Sequence, residues 1–181
     1  MPRYAAFLRG VNLGPRRRAS SADLRSVFEG IGLSDVATFR TSGNVVFEAG
    51  RESPAKLAGR IETRLAEALG FDVTVFLRSA GEVRAIAEHQ PFDRRLEGAS
   101  AGKLQVALLL RKPATTMRDE VLALATDEDR LAFGDRELYW LPSGGTRDSG
   151  LNFKSIEALV GPTTMRTKGT IEALAAKHFA A

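Results

Sequence analysis

The 181 residues contain no cysteine, only two histidines and a single tryptophan. Without thiols there are no disulfides, no thiolate nucleophile and no cysteine-ligated metal, which fits a reducing cytoplasm, the expected location. His89 and His178 lie far apart with no patterned partner. Neither a zinc spacing nor a nucleophile–histidine pair can be assembled from them, so no metal is expected and both read as surface or packing residues. No apolar run approaches the roughly 18 residues of a membrane span, and the apolar stretch after Arg3 is too short for a signal-peptide core, so no membrane partner is expected. The two common nucleotide fingerprints, G-x-x-x-x-G-K-[ST] and G-x-G-x-x-G, are missing too. The one acidic run, Asp127-Glu128-Asp129, lacks the glycine and glutamate of a calcium loop and reads as a solvated turn.

What is present is ordinary globular composition, 44% hydrophobic and 27% charged. The net charge of +4 is unevenly placed: residues 1–79 hold 12 Lys and Arg against 8 Asp and Glu, while residues 80–181 hold 14 of each. The excess gathers at Arg3, Arg9, Arg16, Arg17, Arg18, Arg25 and Arg40. It reads either as a solvated face of an arginine-rich chain or as a basic patch for phosphates or nucleic acid.

The pattern of apolar residues gives an element order. Arg3–Arg9 is a buried strand. Ser20 and Ser21 precede a helix with Leu24, Val27, Phe28 and Ile31 on one face, stopped by Gly32. Residues 36–40 and 45–47 form an antiparallel pair around Thr41, Ser42, Gly43 and Asn44. Ser53-Pro54 opens a second helix, with Leu57, Ile61, Leu65 and Leu69 at spacing four and Gly70 as its stop. A strand over residues 71–77 follows. Ser79 and Glu82 have capping-box spacing at the head of a connecting helix, and residues 93–102 read as a mobile loop.

The second half repeats the order. Residues 104–110 form the deepest strand. A helix over 116–125 turns Met117, Val121 and Leu124 inward. A hairpin with a type II′ turn is expected at Gly134-Asp135. A helix over 152–160, an extended segment and a last helix complete the chain. The fold expected is therefore α+β, with two ferredoxin-like βαββαβ subdomains in tandem and a C-terminal helix. Their bounds are 1–79 and 103–181, with residues 80–102 connecting them.

The loop Arg9-Gly10-Val11-Asn12-Leu13-Gly14-Pro15-Arg16-Arg17-Arg18 is the densest polar glycine loop. Its glycines permit close backbone approach, Asn12 both donates and accepts, and the next helix offers N–H groups at Ser20 and Ser21 to an anion. In a βαββ order this loop and the hairpin lie at one end, so Arg9, Asn12, Gly14, Arg16, Thr41, Ser42 and Asn44 are the candidate anion-binding residues. A second candidate cradle combines Lys154, Arg166 and Lys168, although Thr167 or Thr170 also reads as a plain helix cap. An RNA-recognition sheet is disfavoured, because Asn44-Val45-Val46-Phe47 lacks the required aromatic signature.

Two phrases, Tyr4-Ala-Ala-Phe-Leu-Arg-Gly-Val-Asn-Leu-Gly14 and Thr41-Ser-Gly-Asn-Val-Val-Phe47, resemble the bacterial domain-of-unknown-function family 1697. Leu151-Asn-Phe-Lys-Ser-Ile-Glu157 and Pro162-Thr-Thr-Met-Arg166 extend the resemblance over the whole chain. It implies a cytosolic α+β protein with ferredoxin-like subdomains and carries over no catalytic residue. Many members end in Arg-Asn-Trp-Asn-Thr where this chain has Arg166-Thr-Lys-Gly-Thr170. Three readings follow: binding of a phosphorylated small molecule, nucleic-acid binding through the arginine-rich face, and a protein interaction module. Neither a general base, a cofactor nor an oligomeric state is specified by these residues.

Overall fold

The computed structural model describes residues 1–41 and 43–180. The chain divides into two compact units, residues 1–83 with the C-terminal residues from Lys177, and residues 84–176. It is a mixed α+β protein with two four-stranded antiparallel sheets and seven helices among the described residues. None of those helices is long and apolar enough to cross a membrane.

The first unit runs β1 (Arg3–Arg9), α1 (Ser21–Gly30), β2 (Ser34–Thr38), β3 (Asn44–Glu48), α2 (Pro54–Leu69) and β4 (Thr74–Ser79), then enters α3 (Ala80–Glu88). Its sheet order is β2-β3-β1-β4. Ser20 and Asp23 close a reciprocal capping box on α1, with Asp23 N donating to Ser20 Oγ at 3.0 Å and Ser20 N donating to Asp23 Oδ2 at 2.9 Å. Ser53 caps α2, Pro54 presets its first turn, and Gly70 ends it in the left-handed conformation at φ 78°. Leu57, Ile61 and Leu65 of that helix are fully buried among Ala6, Leu8, Val45, Phe47, Val75 and Leu77 of the sheet. Each contributes about 1.5–3 kcal/mol of apolar transfer, which fastens α2 to the sheet. The β2 strand ends at Thr38, two residues before the sequence expectation, because Arg40 has φ 58° and turns the chain out of the ladder.

The second unit continues with α4 (Arg94–Ala99), β5 (Gln105–Leu109), α5 (Thr115–Leu122), β6 (Asp129–Phe133), β7 (Glu137–Pro142), α6 (Phe153–Val160), β8 (Thr163–Thr167) and α7 (Lys168–His178). Its sheet order, β6-β7-β5-β8, repeats that of the first. The registers repeat as well. Phe7 stands between Asn44 and Phe76 as Leu108 stands between Glu137 and Thr164. Ala5 stands between Val46 and Arg78 as Val106 stands between Tyr139 and Arg166. Each fourth strand then ends in a hydroxyl residue that caps the next helix: Glu82 N donates to Ser79 Oγ at 3.3 Å, and Thr170 N donates to Thr167 Oγ1 at 3.2 Å.

Four expectations are corrected in the second unit. Residues 93–102 are not a bare loop, since Asp93 caps α4 by accepting from Arg95 N at 2.7 Å. Met117 is 42% exposed, and Val121 alone of α5 is fully buried. Gly134 does not have the positive φ of a type II′ turn; the loop instead closes with Gly134 N donating to Glu137 O at 2.8 Å. Asp129 is not solvated: it is 1% exposed and accepts from Trp140 Nε1 at 2.8 Å, Ser149 Oγ at 2.7 Å and Thr126 Oγ1 at 2.9 Å. Burial pushes its carboxyl up, but the hydrogen bonds from Ser149, Trp140 and Thr126 outweigh this and hold it below the ordinary value.

Candidate functional site

At one end of the first sheet the β1–α1 loop and the β2–β3 hairpin are tied together by Asn12. Its Nδ2 donates to Thr41 O at 2.9 Å across the gap, and its Oδ1 accepts from Ala19 N at 3.2 Å behind it. Asn12 takes φ 56° to do so, a conformation its short polar side chain tolerates. Gly43 lets the two loops approach: with φ 77°, a Cβ there would sit 2.6 Å from Val11 Cγ2 and 3.2 Å from Leu8 Cβ. Leu8 N donates to Gly43 O at 2.8 Å, which fixes the hairpin against β1.

Between the two loops lies a cleft of about 390 Å³. One wall is Asn12, Gly14 and the run Arg18-Ala19-Ser20-Ser21 with Leu24; the other is Thr38, Arg40, Thr41 and Gly43. Two cations and four hydroxyl side chains thus line a cleft at the start of α1, where the Ser20 side chain already takes the Asp23 N–H. The hydroxyls of Ser21, Thr38 and Thr41 engage no other group among the described residues, and Arg18 makes no ion pair there. The Arg40 guanidinium lies 5.3 Å from the Phe39 ring centroid, so one of its faces is covered. Lys177 Nζ is 5.9 Å from the same ring centroid, and His178 meets that ring edge-on at 5.9 Å. Burial, then the Lys177 and Arg3 charges, push the His178 imidazole below its ordinary value, and its Nε2 has no hydrogen-bond partner among the described residues.

Of the residues singled out by sequence, the cleft brings together Asn12, Gly14 and Thr41. Ser42 lies outside the described residues. Asn44 is 1% exposed and its Nδ2 donates to Phe39 O at 2.8 Å, so it holds the hairpin from beneath. Arg9 pairs with Thr74 in the sheet and does not line the cleft, and neither does the exposed Arg16. Arg17 is committed elsewhere: its Nη1 reaches Asp72 O at 3.5 Å and its guanidinium lies over Phe71 at 5.5 Å. Sequence reasoning missed Arg18, Thr38 and Arg40 as lining residues, and it credited the Ser20 N–H to a ligand where Asp23 takes it. Asp23 is itself held below its ordinary pKa by the Ser20 hydrogen bonds, so a fixed negative charge stands beside the helix start.

The second cradle is built differently. Lys168 is 8% exposed, and its Nζ donates to Ala87 O at 2.9 Å and to Glu172 Oε1 at 2.7 Å. Arg166, also 8% exposed, donates to Thr164 Oγ1 at 2.9 Å and Met165 O at 2.8 Å, and burial lowers its pKa to about 10. It therefore remains a cation at neutral pH, working inside the sheet. Lys154 is exposed on α6.

The same fold occurs in the conserved bacterial protein SP0830 from Streptococcus pneumoniae, with a TM-score of 0.73 at 21% identity over 97% of both chains. A search of curated proteins finds none that matches. The family described as "Protein of unknown function (DUF1697)" matches residues 1–139, which includes β1, the hairpin and every residue of the cleft. On that match, the chain belongs to the DUF1697 family.

Proposed function

We propose that the cleft between the β1–α1 loop and the β2–β3 hairpin binds a small phosphorylated ligand. The observation that supports this reading is that Arg18 and Arg40, one from each loop, both line the cleft together with hydroxyl side chains and the start of α1. A phosphate there meets charge-assisted donors from two sides and the positive end of a helix. The volume lies at the lower end of small-molecule clefts, about 300–1,000 Å³. In the same proposal each unit is a ferredoxin-like subdomain, a reading supported by the repeated strand order, and the protein works in the cytoplasm.

The test is thermal unfolding of the full chain with inorganic phosphate and pyrophosphate, beside the Arg18→Ala/Arg40→Ala variant. A ligand held at 100 times its Kd stabilises the native state by about 2.7 kcal/mol. The wild type should shift and the variant should not. A shift of equal size in both would reject the cleft as the anion site.

A second reading, nucleic-acid binding, is supported by the exposed Arg16, Arg18, Arg25 and Arg40 of the first unit. It requires affinity for a short single-stranded RNA that falls steeply with salt. Binding that ignores salt removes it.

A further inference from the structure

The hydroxyl lining of the cleft narrows the ligand class, and the inference rests on the anion-binding reading just given. We infer that the ligand is a phosphorylated sugar or polyol, recognised through its hydroxyl groups, and not a nucleotide. The two cations account for a phosphate. They leave the hydroxyls of Ser21, Thr38 and Thr41 uncommitted among the described residues, each able to donate once and accept twice. Such groups gain most from a ligand that presents donors and acceptors at every carbon.

A nucleobase needs a flat surface on which to stack, usually an aromatic ring or a guanidinium plane. Among the described residues no aromatic ring lines the cleft, one face of Arg40 is covered by Phe39, and the guanidinium groups of Arg18 and Arg40 are the ones a phosphate would engage. Among the described lining residues only Ala19 and Leu24 are apolar, and neither offers a flat face. Asn12, the amide most able to read a base edge, has both ends of its side chain engaged by Thr41 O and Ala19 N. Polyol recognition uses what the site leaves open, whereas base recognition calls on groups it has already spent.

The discrimination is measured by isothermal titration of the full chain with glycerol 3-phosphate, ribose 5-phosphate, glucose 6-phosphate, AMP and inorganic phosphate. At least one of the first three should bind tenfold or more tightly than both AMP and inorganic phosphate. The Thr38→Val/Thr41→Val variant keeps side-chain shape and backbone pairing. It should bring that compound to within about threefold of inorganic phosphate, with the urea midpoint unchanged. If AMP binds most tightly, or none of the three exceeds inorganic phosphate, the polyol assignment is overturned while the anion cleft stands. If no phosphate-bearing compound binds, both readings fall together.

Discussion

The two units share one strand order and one register, yet the corners that correspond to each other have opposite electrostatic outcomes. In the second unit the β5–α5 and β6–β7 loops close on themselves. Lys112 Nζ pairs with Asp135 Oδ1 at 2.8 Å, Arg118 Nη2 donates to Asp135 O at 2.9 Å, and Arg136 Nη1 reaches Leu110 O at 3.5 Å. The hydrogen bond from Lys112 is the main cause that holds the Asp135 carboxyl below its ordinary value, with the charges of Lys112, Arg136 and Arg118 adding to it. In the first unit Arg18 and Arg40 face a cleft instead, and the nearest helix begins with an intact capping box where α5 has no side-chain cap. One framework thus carries in one copy a corner where a hairpin carboxylate meets a lysine and in the other a cleft lined by two arginines. The hairpin loop of the second unit holds a carboxylate, Asp135, whereas residues 39–43 of the first hold none.

The largest effect that would break this comparison comes from the hairpin of the first unit. Gly43→Ala forces a side chain into a left-handed position against Val11 and Leu8, and should cost about 4 kcal/mol in urea unfolding, as strain and overpacking add. Gly134→Ala, whose Cβ would meet the buried Tyr139 ring at 3.0 Å and the Glu137 carboxylate at 3.1 Å at an ordinary φ, should cost less, about 2 kcal/mol.

Next in size is Asp129→Ala, which leaves the buried Trp140 Nε1 without its acceptor and should cost about 3 kcal/mol by the same measurement. The native pKa of Asp129 lies below its unfolded value, so its contribution is fully present above about pH 4 and is lost as pH falls through the native pKa. An acid titration of wild type and variant should therefore converge below that range and diverge above it. Parallel curves would show that the carboxylate does not carry the effect.

Ligand affinity sharpens the contrast further. Arg18→Ala/Arg40→Ala should weaken phosphate binding at least tenfold in titration calorimetry, whereas Lys112→Ala should leave it unchanged and alter stability by less than about 1 kcal/mol, as for an exposed ion pair. The smallest effect is expected from Asp23→Asn. It keeps an acceptor for Ser20 N but removes the charge at the α1 start, and should tighten phosphate binding by about threefold at low salt.

Much of this arrangement was legible before any coordinates. The period-four leucines of α2, its Ser-Pro opening and its glycine stop are local signals, and tertiary structure kept all of them. The meeting of Asn12 with Thr41 followed from topology, because antiparallel order puts the two loops at one sheet end. Which arginine faces the cleft was not legible. Arg16, Arg17 and Arg18 are consecutive, and their directions depend on the positive φ of Gly10, Asn12 and Gly14 and on the Phe71 ring that captures Arg17. Asp129 was misread because its donors Trp140 and Ser149 lie 11 and 20 residues away, and nothing in three adjacent acids tells which one turns inward. Residues 94–99 hide a helix because charge, glycine and alanine mark a surface loop equally well, and the Asp93 cap decides between them.

The double engagement of Asn12 has a mechanical consequence. Because one side chain clasps the hairpin carbonyl of Thr41 and the amide of Ala19 at once, neither jaw can swing without breaking a hydrogen bond or dragging the other. On the anion-binding proposal the aperture is set before a ligand arrives, so entry should be fast and free of a slow gating phase, and selectivity would be exercised by fit. Asn12→Ala would unlatch the jaws, and the same chemistry would then greet its guest with a loose grip.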